Sequence, residues 1–278
     1  VRADNKLDKE KILWDAMFSY GKYGAKSPYT DIMTEQELAA IDPMQLINAI
    51  KELPNYKQKI LYYGPLSEDA LKTKLNNDYT LIPDNLKEAP VPVKYEELTT
   101  SDNTVYVVNY PDMVQAEILM LTKKENYDKD KIPYIALYNE YFGGGMAGIV
   151  FQELRESKAL AYSTFSSFTI PNKKEKAHYN LAYIGTQSDK LPEAMTGLFQ
   201  LLNDMPESEI TYNSAKDNLI QKFNTERITK ASILNSYLSA QKLGLDHDIR
   251  KDIYDKAQTL SLDDIRKFQA ENIKDSKY

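Results

Sequence analysis

Apolar residues along this chain keep two rhythms, and the change from one to the other divides it. From 188 onward they recur every three or four positions. Leu191, Met195, Leu198 and Leu202 predict one helical stripe, Tyr212, Leu219 and Phe223 a second, and further helices run to 273. Upstream the pattern is shorter and richer in β-branched and aromatic residues. Segments 104–108 and 115–121 read as neighbouring strands around Asn109-Tyr110-Pro111-Asp112, and 160–170 with 177–185 read as a hairpin around the polar turn 171–175. Between the strand pairs a helix over 130–142 ends at Tyr141-Phe142, and Gly143-Gly144-Gly145 breaks it. A second helix over 146–157 then places Ala147, Val150, Phe151 and Leu154 on one stripe, with Glu153 and Glu156 opposite. Arg155 falls about 80° from Ala147, at the edge of that stripe. Strands followed by helices predict an α+β two-layer sandwich, with a mainly antiparallel sheet and helices on one face.

A long-period duplication underlies this order. Ile12-Leu13 and Lys22-Tyr23-Gly24 resemble Ile233-Leu234 and Lys242-Leu243-Gly244, about 220 residues later. At nearly the same offset, Ile41, Asp42 and Leu46 match Leu260, Ser261 and Ile265, each an apolar residue, a helix-capping residue and an apolar residue one turn on. In the first copy a strand-like run, 59–64, follows the helix at 43–53, and the same offset from Lys59 lands on Tyr278. The expectation is therefore a fragment: residues 1–78 as the C-terminal part of one domain, a proline-bearing linker over 79–98 (Pro83, Pro90, Pro92), and 99–278 as nearly all of a homologous domain. The first copy would then leave apolar helix faces uncovered, and self-association is expected.

Composition narrows the chemistry. Thirty-five basic against 41 acidic residues give a net charge of -6, which argues against a phosphate-backbone binder and so against nucleic acid as partner. No run approaches the ~18 apolar residues of a membrane span. The opening Val1-Arg2-Ala3-Asp4-Asn5-Lys6 has neither a signal peptide's apolar stretch nor a Met, so the natural start is expected elsewhere. The absence of cysteine leaves periplasm and cytosol equally open. The two histidines, His178 and His247, are too far apart in sequence for a local pair and read as structural or solvated rather than as metal ligands. Trp14 reads as core. The glycine run resembles a phosphate cradle only superficially, since no Lys-Ser or Lys-Thr follows it.

The stretch from Asn139 to Ser163, with Gly143-Gly144-Gly145, then Phe151-Gln152-Glu153-Leu154-Arg155-Glu156, then Leu160-Ala161-Tyr162-Ser163, resembles the insulinase and pitrilysin family of zinc metallopeptidases. Ser27-Pro28-Tyr29-Thr30, the Ile41-Asp42 helix start and Tyr62-Tyr63-Gly64 are similar to the close of a preceding domain in that family, so the resemblance covers nearly the whole chain. It implies four similar α+β domains in two halves closing around a chamber. It also implies a zinc site in the first domain, where an H-x-x-E-H motif and a distant Glu supply the ligands and the water-activating carboxylate. That motif is absent here. The resemblance therefore implies zinc in the full-length enzyme, held by an upstream catalytic half in the same chain or a partner subunit, with none bound by this chain.

What the resemblance carries onto this chain is Arg155 for positioning a peptide or unfolded polypeptide substrate and Tyr162 for binding the scissile carbonyl and its oxyanion. Three readings compete. The first is the C-terminal part of such a metalloendopeptidase, inactive alone. The second is a non-catalytic relative acting as a structural or substrate-presenting subunit, like a processing-peptidase partner or a respiratory core protein. The third is a free-standing, tyrosine-rich binding module. The plain alternatives for the two residues are a helix-edge ion pair for Arg155 and an ordinary strand tyrosine for Tyr162.

Overall fold

The computed structural model describes residues 2–78, 85–110 and 113–278. Three antiparallel strands form its sheet: β1 (Gln115–Asn126), β2 (Ser163–Phe168) and β3 (Ala177–Gln187), in the order β1-β3-β2. The expected hairpin is β2–β3, in a register that sets Phe165 opposite Tyr183 and Phe168 opposite Asn180. β1 flanks the other side of β3, with Leu119 opposite Tyr183. Alternation sends Met120, Ala182, Ile184 and Phe168 into the core. There they meet Ile135, Tyr138 and Phe142 from the helical run after β1, Leu198 and Leu202 from the helix Leu191–Asn203, and Ile265 and Phe268 from the helix Leu262–Asn272. This is the α+β sandwich with an antiparallel sheet that the sequence predicts.

The helix over 130–142 is present as a 3-10 turn, an α-helix (Ile132–Tyr138) and a π-wound turn (Asn139–Gly143). The expected helix over 146–157 begins later, as Ile149–Phe151 continuing into the π-wound turn Gln152–Ser157. Gly148 is extended (φ -69, ψ 150), so Ala147 lies exposed in the turn and Ile149 takes its place in the core. In the helix Glu209–Thr225, Tyr212 and Leu219 are buried as expected and Phe223 is half-buried.

Two predicted strands do not form. Segments 59–64 and 104–108 carry no strand and join no ladder, and Val105 and Val107 are each 83% exposed. A strand needs a neighbour for its backbone donors and acceptors, and on the flank of β1 Lys123 finds other partners. The Lys123 N–H donates to Thr100 Oγ1 (3.3 Å), and Lys123 Nζ to the Glu97 carbonyl (3.0 Å). Of the predicted turn and linker, residues 111–112 and 79–84 lie outside the described residues; 85–98 carries no helix or strand, only one isolated bridge between Tyr56 and Lys87.

Residues 9–23 form one helical run, Lys9–Lys11, Ile12–Met17 and Phe18–Tyr23, which crosses the sheet on the face opposite the helical layer. Trp14 stacks on Phe165 (6.0 Å, 15°) and lies 5.2 Å from Tyr183, so it covers the sheet from the surface instead of joining the core. At the far end, the Glu97 side chain is only 7% exposed, and its carboxylate meets Lys176 (3.0 Å) and Lys22 (3.6 Å) while Lys22 sits over the Tyr179 ring (4.5 Å). These charges pin the helix, the segment around Glu97 and the start of β3 together.

The duplicated positions end and start helices alike, although Gly24 and Gly244 differ in ψ (-153 and 28). Gly24 and Gly244 both end a helix with positive φ (74 and 71), a conformation that favours glycine. Asp42 and Ser261 both cap the next matching helix, accepting from the N–H groups of Met44 (2.9 Å) and Asp264 (3.2 Å). Their packing differs. Leu262, Ile265 and Phe268 are buried, whereas Met44, Leu46, Ile47 and Ile50 of the helix Pro43–Glu52 are exposed. Among the described residues no helix is long and apolar enough to cross a membrane.

Candidate functional site

The segment from Leu154 to Tyr162 turns from helix to strand over two buried leucines. Leu154 and Leu160 both enter the core, and a Cβ at Gly197 of the facing helix would lie 3.0 Å from Leu154 and 3.6 Å from Leu160. The helix end closes through Lys158 N–H to the Glu153 carbonyl (3.1 Å) and Leu160 N–H to the Leu154 carbonyl (2.8 Å). Ala159 takes the left-handed conformation between them (φ 50), a position where glycine is usual. Lys190 Nζ reaches back to the Ala159 carbonyl (3.2 Å). Tyr162 then starts the strand by donating its N–H to the Gly185 carbonyl (2.8 Å).

Arg155 and Tyr162, on either side of this turn, are both exposed: the Arg155 side chain is 46% accessible and Tyr162 is 51% accessible. They hold to different partners. The Arg155 guanidinium lies over Phe151 (4.8 Å) with its Nε 3.7 Å from Glu156, which matches the helix-edge alternative in geometry, although a pair this exposed contributes little to stability. The Tyr162 hydroxyl accepts a hydrogen bond from Gln187 Nε2 (2.6 Å). Gln187 escapes sequence reasoning, because it follows Tyr162 by 25 positions and only the β2–β3 hairpin brings them together. Asn139 escapes it as well: its amide donates to the Phe168 carbonyl (2.9 Å) and accepts from the Phe168 N–H (2.8 Å), closing the free edge of β2.

Neither histidine belongs to a metal site. His178 is buried, donating through Nδ1 to the Thr169 carbonyl (2.8 Å) and accepting the Asp128 N–H at Nε2 (3.2 Å), so both ring nitrogens are committed and the ring is neutral. His247 donates to Asp246 (2.6 Å) and Asp252 (2.8 Å), which requires the doubly protonated ring, and those two bonds raise its pKa. Among the described residues no group of three or more His, Cys, Asp or Glu is arranged to hold a metal. These residues do not fit a resident zinc.

Burial pushes the His178 pKa down, against a smaller upward pull from its bond to Thr169. Below about pH 6.5 the unfolded chain takes up a proton at this ring that the folded chain refuses. Stability is therefore expected to fall as pH drops from about 7 to 5.5, by at most about 1.4 kcal/mol per unit from this group. His247 acts in the opposite sense. Thermal midpoints across that window check this: His178→Gln should fall less steeply with acid than the wild type, and parallel curves would mean that His178 is not held neutral.

The model of the family described as the peptidase M16 inactive domain matches residues 54–214, more than half of the chain and all of the Arg155 to Gln187 region. The chain belongs to this family. A search of curated proteins finds no match to the sequence. Among solved structures, the peptidase M16 inactive domain from Pseudomonas fluorescens superposes with a TM-score of 0.65 at 18% identity, covering 94% of this chain and 62% of that one. A mutant of the ferredoxin protease FusC in complex with Arabidopsis ferredoxin gives 0.70 at 13% identity over 97% of this chain and 29% of that chain. The periplasmic protease PqqL from Escherichia coli gives 0.65 at 14% over 98% and 30%. At such identities the likeness is one of fold. The chain spans less than two thirds of each of these three structures.

Proposed function

We propose that this M16 chain is the peptide-binding, zinc-free wall of an insulinase-like metalloendopeptidase, contributing Arg155 and Tyr162 to an active site whose zinc-bearing half is supplied elsewhere. The observation that carries the reading is the contrast within one motif. Leu154 and Leu160 are buried, yet the guanidinium and the phenol beside them stay open to a ligand. Attack on a peptide bond places negative charge on the carbonyl oxygen, and the Tyr162 O–H is a donor for it. Arg155 offers a planar fork of donors to neighbouring backbone carbonyls. Such acceptors recur in every peptide, which supports a polypeptide substrate, as does the ferredoxin bound in the FusC structure.

In this reading residues 1–78 close a preceding homologous domain, 79–98 link, and 99–278 form the substrate-binding domain. The matching helix caps support that division, and the uncovered face of the helix Pro43–Glu52 supports contact with a partner half or with a second copy. A non-catalytic, substrate-presenting role is the second reading, favoured by the Arg155–Glu156 contact.

The test combines residues 1–278 with the zinc-bearing half and follows both sedimentation and cleavage of unfolded peptides. Alone, the chain should be inert and should self-associate as concentration rises; combined, it should give chelator-sensitive hydrolysis. Chelator-sensitive hydrolysis by the chain alone would refute this division of labour, and a combination that binds peptide without cleaving it would favour the second reading.

A further inference from the structure

We propose that Gln187 is a positioning residue for Tyr162, fixing the phenol so that its proton points toward a bound peptide carbonyl. The inference rests on the reading of Tyr162 as a carbonyl donor and extends it to a residue outside the Arg155 to Tyr162 motif.

The chemistry of the contact decides the direction of the proton. An amide nitrogen can only donate, so at 2.6 Å from Gln187 Nε2 the Tyr162 oxygen is the acceptor. The phenol hydrogen must therefore leave along another direction. A phenol that is 51% exposed is open to water, which would share its hydrogen bonds among many orientations. The amide removes that freedom, and by polarising the oxygen it also strengthens the donation that remains.

Gln187 is itself well placed. It is the last residue of β3, opposite Gln115 at the start of β1, and the next residue, Ser188, donates both its N–H (3.3 Å) and its hydroxyl (2.9 Å) to the Val114 carbonyl. Two residues before it, Gly185 accepts the Tyr162 N–H. Three residues after it, Lys190 holds the Ala159 carbonyl. The passage from β3 into the next helix thus clasps the turn before β2 at its backbone and at the phenol, so ring and amide are presented from one rigid corner.

The test is a kinetic cycle in the enzyme reconstituted with its zinc-bearing half, together with a spectroscopic measurement on the chain itself. Gln187→Leu should lower kcat about 3- to 10-fold with KM little changed. Gln187→Glu should lower it further at neutral pH, because a carboxylate accepts the phenol's hydrogen bond and turns it away from the peptide carbonyl, with activity returning as pH falls toward the carboxylate range near 4–5. In a Tyr162→Phe background neither change should matter. In the isolated chain, the Gln187 side-chain amide resonance should move to its free position in Tyr162→Phe. If Tyr162→Phe is itself fully active, the reading of Tyr162 fails. If Tyr162→Phe is slow while Gln187→Leu is not, or if Gln187→Leu acts equally in both backgrounds, or if the amide resonance ignores Tyr162→Phe, the positioning role is overturned.

Discussion

Gly143→Ala is expected to lower the stability of the chain by about 3–5 kcal/mol, although it adds a single methyl group. An alanine Cβ at this position would lie 1.8 Å from the Ser166 carbonyl oxygen and 2.5 Å from its carbon. Both sides of that contact are backbone. Gly143 ends the π-wound turn that carries the buried Tyr141 and Phe142, and Ser166 sits in the middle of β2, paired with Ala182 of β3. Asn139, at the start of the same turn, bonds both backbone groups of Phe168, so the turn cannot back away from β2 without leaving a buried N–H and C=O unpaired. Gly145→Ala is the control. Its positive φ of 64 makes any side chain strained, but a Cβ there meets nothing within 4 Å, so the cost is about 1 kcal/mol of backbone conformation. Urea midpoints at unchanged m compare the two. A Gly143→Ala chain that unfolds no earlier than Gly145→Ala would mean that the turn does not rest on β2.

The same glycines mark the boundary between what could be read from the sequence and what could not. That Gly143-Gly144-Gly145 breaks a helix was legible, because glycine favours conformations that helices exclude. That Gly143 is bare so a strand carbonyl can approach it was not, since the strand lies 23 positions away. The hairpin of β2 and β3 was legible for a local reason: two β-rich runs joined by a short polar turn find each other. Segments 59–64 and 104–108 have equally good strand composition and fail, because strand formation depends on a partner that composition cannot supply. Trp14 shows the reverse error. An aromatic residue on a helix reads as core, and its ring instead lies on Phe165 and Tyr183 across the outer face of the sheet, 36% exposed. Arg155 and Tyr162 could be singled out through the motif, but the contact of Tyr162 with Gln187 belongs to the fold.

Tyr162→Phe is expected to lower kcat about 100-fold in the reconstituted peptidase, with little change in KM. The phenylalanine keeps the ring and removes only the hydroxyl. Because that hydroxyl is exposed and bonded only at its rim to Gln187, its loss should leave the thermal midpoint of the chain unmoved. The effect therefore belongs to the reaction if it appears at all. A donor aimed at the carbonyl gains strength as charge builds on the oxygen, so its removal falls on the transition state more than on the bound peptide. Arg155→Ala should divide differently. A guanidinium that holds carbonyls away from the reacting one binds the peptide before and during the reaction alike, and its loss should appear mainly as a rise in KM. Steady-state rates on one unfolded peptide, measured for both variants, separate the roles. A Tyr162→Phe enzyme with unchanged kcat would reject the oxyanion role, and a rise in KM alone would make Tyr162 a binding residue like Arg155.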